Sequence, residues 1–371
     1  MQKWLKKNFK VWWLQALLAF ATFGFTSVLF VYFVKKDVTF FQIFLADFFS
    51  YSLIVAYLLF RRTLFSRGTI LTGYLLIVVG MLILLLPFPA TALLFPYTII
   101  YGLGVIMFFA PYNILYFKSI QRGNLEHMTI YWSIGIITGL VAPLIGSFVL
   151  AKFPLWIFIS CAVLILLSAA YLTRFVERQK YSYTTKEVLT HIRGLRTLSI
   201  IDGSLHKTSL IVVTVFSLQY ITTELNFGRF LSIAALAGII VALPMARISD
   251  RWQKRMIFIW PLSIMSAGVV FSFIFVKSFL GFFALALLLK AILSLLEPIR
   301  GNVILDKKET GNAITWISRE LYLNIGRLMM MGVIAVFIYF GNYTAIYSFI
   351  ALQMVLYPII LYFKKTYAVV D

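Results

Sequence analysis

Polar and ionisable side chains recur at helical spacing inside two of the most apolar stretches of this sequence. They are Lys290, Ser294 and Glu297 in one stretch, and Glu320, Asn324 and Arg327 in the other. Residues at positions i, i+4 and i+7 share one face of a helix, so each set forms a polar stripe. The chemistry of such stripes is recognition and proton exchange. Lysine and arginine bind carboxylates and phosphates, and a buried carboxyl group can take up a proton.

The depth of each group follows from the helical rise of about 1.5 Å per residue. Lys290 is about 18 Å into its helix, near the bilayer midplane, whereas Glu297 is about 28 Å in, at the inner rim. Glu320 falls in the inner third of the next helix, and Arg327 falls near its middle. These last two residues are about 10 Å apart along the axis, which we expect to be too far for a direct ion pair.

Lys290 and Arg327 therefore place two cations at similar depth, and each positive charge needs a negative charge nearby to compensate it. One interpretation is that a carboxylate or phosphate of the substrate supplies the negative charge. The other is that Glu320 or Asp202 neutralises them, and that the substrate is neutral or a hydrophobic drug. Under both interpretations the stripes face protein or a water-filled cavity, because contact with lipid would be prohibitive.

The other acidic, basic and histidine residues well inside the predicted spans are Asp47, Asp202, His206, Lys207 and Arg319. Arg319 directly precedes Glu320, but adjacent helix residues point about 100° apart, so it need not neutralise Glu320. Asp47, in the outer third of its span, is either a proton-coupling acid or a hydrogen-bonded structural acid. Asp202 and Lys207 are shallower, and they act as rim anchors, as a structural pair or in binding. Glu320 has two open roles as well: it pairs with a basic residue across a cavity, or it carries a coupling proton.

Enzymatic and metal chemistry find no support in the sequence. The three histidines are scattered, and the single cysteine, Cys161, has no partner for a disulfide or a metal cluster. No glycine-rich phosphate loop is present. We therefore predict no catalytic residues, no metal and no cofactor, and we expect that the protein is not an enzyme.

The elements that position these side chains are predicted to be transmembrane helices. Apolar residues make up 62% of the 371 positions, including 36 phenylalanines, which is far more than a soluble core requires. Crossing the hydrocarbon takes roughly 20 mostly apolar residues. Twelve stretches qualify: Val11–Val34, Phe40–Phe60, Thr69–Pro87, Leu93–Phe117, Met128–Ala151, Phe153–Arg174, Leu198–Thr222, Phe230–Leu243, Met256–Val276, Ser278–Ile299, Ala313–Phe340 and Tyr343–Phe363.

The distribution of basic residues predicts the orientation of these spans. With the amino terminus inside, the inner segments hold 24 lysines and arginines, and the outer loops hold 5. Cytoplasmic loops are enriched in these residues, so both termini are predicted to be cytoplasmic and the number of spans to be even. The net charge of +20 is spread over every inner loop, which favours contact with anionic lipid headgroups over nucleic-acid binding.

The inner loop between spans eight and nine reads ARISDRWQKR, with five charged residues in ten positions. It resembles the loop motif of the major facilitator superfamily of transporters, Gly-x-Leu-Ala/Ser-Asp-Arg-x-Gly-Arg-Arg/Lys. The stretch keeps the Ser-Asp-Arg core and the final basic pair, but it replaces both glycines. The resemblance implies a latch that holds the cytoplasmic side shut, and the alternative is that these arginines only set the topology. The gate residues are predicted to be Asp250, Arg251, Arg255, Glu297 and Arg300.

An internal repeat accompanies this resemblance. The segments APYNILYFKSIQRGN (110–124) and EPIRGNVILDKKETGN (297–312) each place a proline near the inner end of a fourth helix and end in Gly-Asn. The resemblance implies an all-α integral membrane protein, with twelve transmembrane helices in two pseudo-symmetric six-helix bundles. The predicted division is 1–174 for the first bundle, 175–197 for a cytoplasmic linker and 198–371 for the second bundle. The loop between spans two and three lacks the aspartate of the motif.

The resemblance also implies a function. We expect a secondary active transporter that moves a small molecule across the cytoplasmic membrane by alternating access, with proton coupling. Organic anions and drug-like compounds are both open as substrates. The expected partners are the substrate, the lipid bilayer and a coupling proton, with no nucleic acid, and the protein is expected to be a multi-pass monomer. Two other functions stay open, a lipid translocator with a transporter fold and a membrane sensor that binds without transport.

Overall fold

The computed structural model describes residues 12–118, 125–252, 255–307 and 312–364, with side chains throughout except at 23, 125–130, 242–252, 255 and 304–307. Within these residues, twelve helices are long and apolar enough to cross a membrane, as predicted. We number them α1 (Trp12–Lys35), α2 (Phe40–Phe60), α3 (Ser66–Ile83), α4 (Ala90–Phe117), α5 (Leu125–Lys152), α6 (Leu155–Leu172), α7 (Arg196–Gln219), α8 (Glu224–Trp252), α9 (Arg255–Ser272), α10 (Phe279–Lys307), α11 (Ala313–Tyr339) and α12 (Tyr343–Phe363).

The surface of the helix bundle is apolar, which is the inverse of a soluble protein. Large hydrophobic side chains such as Leu164, Ile240 and Leu280 are more than half exposed. Contiguous apolar surface on this scale is not tolerated in water, whereas lipid tails solvate it without cost. The chain is therefore a multi-pass membrane protein.

Several helices extend beyond the apolar stretches from which they were predicted. The eighth span was predicted as Phe230–Leu243, but α8 runs over Glu224–Trp252. The tenth was predicted to end at Ile299, and α10 continues to Lys307. Hydropathy marks only the part of a helix that lies in hydrocarbon, whereas its backbone hydrogen bonds continue into the polar region. The third span shifts the other way, because α3 ends at Ile83 and not at Pro87.

The first helix of each half deviates from α-helical geometry in the same way. In α1, a π-helical segment over Phe20–Gly24 is followed by a 3₁₀ segment over Phe25–Val28. In α7, a π-helical segment over Ser209–Val215 is followed by a 3₁₀ segment over Phe216–Gln219. Such segments are rare inside helices and cluster at functional sites. Their recurrence in α1 and α7 agrees with an internal repeat of six helices, while the exact boundaries of the two halves stay a prediction.

Two helix pairs, α2 with α11 and α5 with α8, join the first six helices to the last six. Close approach in the second pair uses small residues, since Gly139 on α5 lies against Ala235 on α8. In the first pair, the rings of Phe41 and Tyr339 are 5.6 Å apart. The two halves therefore pack against each other directly along both pairs.

The connection between α6 and α7 lies at the end of the bundle where α12 finishes, since Lys364 Nζ donates to the carbonyl oxygen of Gly194. We call this end the linker face and the other end the opposite face. From the charge count, we predict that the linker face is cytoplasmic. Because successive helices cross the membrane in opposite directions, α1, α7 and α11 all begin at the linker face.

An unpredicted β-ribbon ties the linker to the loop between α2 and α3. Strand β1 (Thr63–Phe65) pairs antiparallel with strand β2 (Lys180–Ser182), with Leu64 opposite Tyr181. The ribbon is extended by Ser66, whose hydroxyl donates to the carbonyl of Glu177 at 2.5 Å and accepts from the amide of Gln179 at 2.8 Å. The linker is thereby bound to the first half of the molecule.

The next residues of the linker bind the second half. A short linker helix spans Thr185–Thr190 and is preceded by a capping box, in which Thr184 and Glu187 satisfy each other's backbone amides. The hydrogen bonds from Thr184 lower the pKa of Glu187, so this carboxylate is ionised and the cap is intact at neutral pH. The ribbon and the linker helix together form what we call the linker clamp, because only two residues separate their ends.

Three side chains of α11 hold the linker helix. Ser318 Oγ donates to the carbonyl of Val188 at 2.7 Å, and Tyr322 Oη donates to the carbonyl of Leu189 at 2.9 Å. His191 Nε2 lies 2.8 Å from Thr315 Oγ1. Since the ribbon belongs to the first half and α11 to the second, the linker clamp connects the two halves at the linker face.

We expect that removing the clamp hydrogen bonds of α11 exposes the linker. In a Ser318→Ala/Tyr322→Phe variant, two hydrogen bonds worth about 1 kcal/mol each are lost, so local opening should rise roughly 30-fold. The measurement is the rate of tryptic cleavage after Lys186 in the linker helix. The matched control is Ser168→Ala, which removes an exposed hydroxyl that bonds only within α6. Equal cleavage rates in both variants would show that α11 does not hold the linker.

Candidate functional site

The site is built on the contact between α7 and α11, which glycines bring to backbone distance. A Cβ atom on Gly203 would overlap the carbonyl group of Leu323, and one on Gly326 would overlap the carbonyl group of Ile200. Between these two contacts, Ser204 Oγ donates to the carbonyl of Gly326 at 2.9 Å. Side chains that flank the glycines on both helices are consequently forced into one small volume.

Seven polar side chains meet in this volume, contributed by α7, α10 and α11. We call them the charge cluster: Asp202, His206, Arg300, Arg319, Glu320, Asn324 and Arg327. Measured along α7 and α11, the cluster extends from about 9 Å to about 21 Å above the linker face. It therefore reaches from near the linker face to the middle of the membrane.

Asp202 contacts three basic members of the cluster. Its carboxylate lies 3.1 Å from Arg300 Nε, 3.6 Å from Arg319 NH2 and 3.4 Å from His206 Nε2. The Arg300 side chain is fully buried, so it depends on this carboxylate for its charge compensation. Asp202 is thus paired with basic residues on α7, α10 and α11, and not with Lys207, which is close to it in the sequence.

Glu320 joins the two arginines of α11. Its carboxylate lies 3.6 Å from Arg319 NH1 and 3.9 Å from Arg327 NH1, and the amide of Asn324 bridges Glu320 and Arg327. The prediction that Glu320 and Arg327 are too far apart for a direct ion pair is wrong. The axial rise separates their Cα atoms by about 10 Å, but both side chains are long and extend toward each other on one helix face.

The first half of the molecule reaches the cluster through hydrogen bonds from α4 and α5. Asn113 Nδ2 on α4 donates to Glu320 Oε1 at 3.0 Å, and Tyr131 Oη on α5 donates to Asn113 Oδ1 at 2.8 Å. The ring of Trp132 packs edge-on against the ring of His206, with centroids 5.1 Å apart. The cluster therefore belongs to both halves and lies where they meet.

The remaining predicted residues of the binding site lie around the cluster. Lys290 Nζ on α10 donates to Ser209 Oγ on α7 at 3.1 Å, one helical turn beyond His206. Lys207 Nζ lies 4.7 Å from the centre of the Tyr51 ring on α2. Lys207 also interacts electrostatically with Asp47, and Lys290 does so with Glu297. Each of these lysines thus has one carboxylate in its surroundings.

The predicted gate is only partly within the described residues. Asp250, Arg251 and Arg255 lie on helices, but their side chains lie outside the described part of the structure, so the latch stays a prediction. Arg300 lies inside the second half, bound to Asp202, with none of its side chain exposed. A cavity of about 20 Å³, lined in part by Arg300, Arg319 and Tyr357, adjoins this pair. It has room for about one water molecule.

The sequence did not predict several of the contacts in this site. Asp202 and His206 are spaced i, i+4 on α7, a signal that could have paired them. The angle of about 100° between adjacent helix residues predicts that Arg319 need not neutralise Glu320, yet its guanidinium reaches both carboxylates. Asn113 and Tyr131 carry no sequence signal for their contact with α11, because it depends on how the halves pack. Among the described residues, no three His, Cys, Asp and Glu side chains are grouped to hold a metal ion.

Solved transporter structures share this architecture over nearly their whole length. The chain is similar to the human organic anion transporter MFSD10 (TETRAN), with 11% identity, coverage of 95% of this chain and 98% of that chain, and a TM-score of 0.72. It is similar to FucP, a major facilitator superfamily transporter in the outward conformation, with 16% identity, 97% and 99% coverage and a TM-score of 0.70. A POT family transporter in complex with 5-aminolevulinic acid shares 12% identity, with 98% and 97% coverage and a TM-score of 0.68.

At the level of sequence, no protein-family model and no curated protein match the chain. The structural identities are low, so the likeness is one of fold. The chain has the major facilitator superfamily fold, with twelve transmembrane helices in two six-helix bundles, as predicted.

The glycine contact between α7 and α11 predicts a specific loss of stability. Gly326→Ala adds a methyl group against the backbone of Ile200, which cannot move aside as a flexible side chain would. Such overpacking costs about 1 to 3 kcal/mol of unfolding free energy. The measurement is thermal unfolding of the purified protein in detergent. Gly268→Ala on α9 is the control, because an added Cβ there meets nothing within 4 Å. Equal melting temperatures for the two variants would contradict the tight contact.

A second prediction concerns the carboxylate at the centre of the cluster. Asp202→Asn leaves the buried Arg300 without its carboxylate, and breaking such a pair costs about 3 to 5 kcal/mol. The double variant Asp202→Asn/Arg300→Gln should recover part of this loss, as read from thermal unfolding of all three variants. Glu224→Gln serves as the control, since it breaks the more exposed ion pair with Lys35 and should cost about 1 kcal/mol at most. A double variant that is less stable than both single variants would show that Asp202 and Arg300 do not compensate each other's charge.

Proposed function

We propose that the protein is a secondary transporter that moves a small organic anion across the cytoplasmic membrane by alternating access. It would act as a single chain, with the linker face in the cytoplasm. The sequence holds no nucleotide-binding motif, so an ion gradient would supply the energy. The observation that supports this proposal is the charge cluster, a set of buried ionisable groups near the middle of the membrane at the junction of the two halves.

The charge balance of the cluster favours an anion. Three of its described members, Arg300, Arg319 and Arg327, are cations, and two, Asp202 and Glu320, are carboxylates. Including the nearby Lys207 and Lys290 does not change this difference, because Asp47 and Glu297 then join the count as two further carboxylates. One positive charge is left over, and a single carboxylate of a substrate would balance it.

Arg327 is the member best placed to meet such a substrate. Its side chain is 21% exposed, whereas the side chains of the other charged members are 9% exposed or less. It lies near the middle of α11, and Lys290 lies at a similar depth on α10. An arginine can bind a carboxylate through two parallel hydrogen bonds, and a lysine can add a point charge.

The named ligands of similar structures agree with this substrate class. One of them is described as an organic anion transporter, and another holds 5-aminolevulinic acid. Their identity to this chain is too low to transfer a substrate. They support the proposal only in that the fold accommodates carboxylate-bearing solutes.

Contacts between the halves at both faces support alternating access. At the opposite face, Lys35 Nζ on α1 lies 2.7 Å from Glu224 Oε1 on α8. At the linker face, Phe117 on α4 stacks on Trp316 on α11 with ring centroids 4.3 Å apart. A carrier that is closed at both faces exposes its site to one side of the membrane when the contacts at that face open. The linker clamp belongs to the contacts at the linker face, which would open toward the cytoplasm.

We expect sealed proteoliposomes that contain the protein to accumulate an organic carboxylate. The experiment compares labelled mono- and dicarboxylates with neutral analogues and cationic drugs, with and without a pH gradient. Arg327→Gln and Lys290→Gln should lower uptake of the anion by at least tenfold, because each removes a charge from the site. The matched control is Arg229→Gln, which removes an exposed arginine from α8.

Three outcomes would overturn the proposal. Uptake of the anion that is unchanged in both Arg327→Gln and Lys290→Gln would show that these cations do not bind substrate. Binding of ligands by the purified protein without flux in any vesicle preparation would identify a membrane sensor. Accumulation of labelled lipid in the other leaflet, with no uptake of solutes, would identify a lipid translocator.

A further inference from the structure

The two ring nitrogens of His206 face groups of opposite character. Nδ1 lies 3.2 Å from Arg327 NH2, and Nε2 lies 3.4 Å from Asp202 Oδ1. A guanidinium group can only donate hydrogen bonds, so Nδ1 must carry a lone pair and accept. The ring proton is consequently on Nε2, which lies near the carboxylate of Asp202 without forming a hydrogen bond to it among the described residues. His206 is neutral in this conformation, and its tautomer is fixed by its neighbours.

A second proton on this ring has one place to bind, which is Nδ1. Once Nδ1 is protonated it becomes a donor, and it then faces the N–H group of Arg327. The hydrogen bond between Arg327 and His206 would be replaced by repulsion between two cations, and Arg327 would have to turn away. On the other side of the ring, Asp202 would gain a fully charged partner. Protonation of His206 and the position of Arg327 are therefore linked.

The charged groups around His206 determine when the proton can bind. On its own helix these are Asp202 and Lys207, α10 contributes Arg300, and α11 contributes Arg319 and Arg327, with Glu320 beyond them. From α5 the ring meets Trp132, which carries no charge. Cations outnumber carboxylates among these described groups, so a further positive charge is disfavoured unless a negative charge enters the cluster.

We propose that His206 is a proton-binding site that is linked to the binding of an organic anion at Arg327. The proton comes from water, binds Nδ1 and releases Arg327, and the released guanidinium binds the carboxylate of the anion. In charge terms, the proton alone raises the excess of the cluster from one to two. With a monovalent anion bound, the same proton returns the excess to one, which is the value of the present structure. Each ligand therefore favours the other, and the effect is reciprocal.

The inference rests on the proposed function for its role in transport, but the site itself can be tested without transport. Trp132 is a built-in reporter, because a protonated imidazole beside an indole quenches its fluorescence. The experiment is a pH titration of the fluorescence of the purified full-length protein in detergent. The difference between wild type and Trp132→Phe isolates the signal of Trp132 from the other seven tryptophans of the chain.

We expect the Trp132 signal to titrate with one proton in wild type and to lose this transition in His206→Gln and His206→Asn. His191→Gln is the matched control, since it removes a histidine of the linker and leaves the transition in place. Addition of acetate or benzoate should raise the midpoint by about one pH unit, which corresponds to a tenfold linkage. Arg327→Gln should raise the midpoint without any anion, because a neighbouring cation is lost, and should abolish the effect of the anions.

Each contrary result has a definite meaning. A transition that persists unchanged in both His206 variants shows that another group binds the proton. A wild-type midpoint that does not move with either anion refutes the linkage. If the titration behaves as expected but the vesicles accumulate no solute, the His206 site stands and the transport proposal fails. If solute is transported with no transition at His206, the transport proposal stands and this inference fails.

Discussion

The structure depends on one constraint, which is that a charge in the hydrocarbon must be compensated inside the protein. Arg300 satisfies it through an ion pair with Asp202, and Asp202 is held in turn by groups from α10, α11 and its own helix. Burying an isolated ion in this environment would cost several kcal/mol. Even for a paired ion, the attraction to its partner has to offset the free energy of removing both ions from water. The ion pairs therefore fix the positions of α7, α10 and α11 relative to one another. Their charged residues are far apart in sequence but cannot move independently.

This constraint also explains how far the sequence could predict the molecule. The number of spans and the polar face of α11 follow from local patterns, hydropathy over roughly 20 residues and a spacing of three to four. The partners of Asp202 do not, because Arg300 and Arg319 approach it only after three helices pack together. The same is true of Asn113, whose amide has no reason to bind Glu320 until the halves meet. The ion pair between Glu320 and Arg327 escaped prediction for a different reason. The helical rise gives the separation of their Cα atoms along the axis, whereas the two long side chains bring the charged atoms much closer together.

The linker shows a second limit of local reasoning. Its polar and basic composition predicted a cytoplasmic connection, and nothing in three-residue strands marks them as strands. The ribbon forms because the loop at Thr63–Phe65, which lacks the aspartate of the superfamily motif, offers free backbone groups to Lys180–Ser182. Hydrogen bonds between backbones need no particular side chains, so a contact of this kind leaves little trace in sequence. The part of the connection that the linker makes between the halves consequently depends largely on main-chain and hydroxyl groups.

The absence of side chains at Gly203 and Gly326 has a mechanical consequence. Helices that touch backbone to backbone cannot slide past one another without steric collision, so α7 and α11 form a rigid lever. The ion pairs among Asp202, Arg319 and Glu320 are carried on this lever, so a motion of the lever as one body leaves the distances among them unchanged. A motion between the halves has instead to break contacts that cross between them, such as the buried hydrogen bond from Asn113 to Glu320. A membrane protein with many buried charges can in this way change shape without separating them.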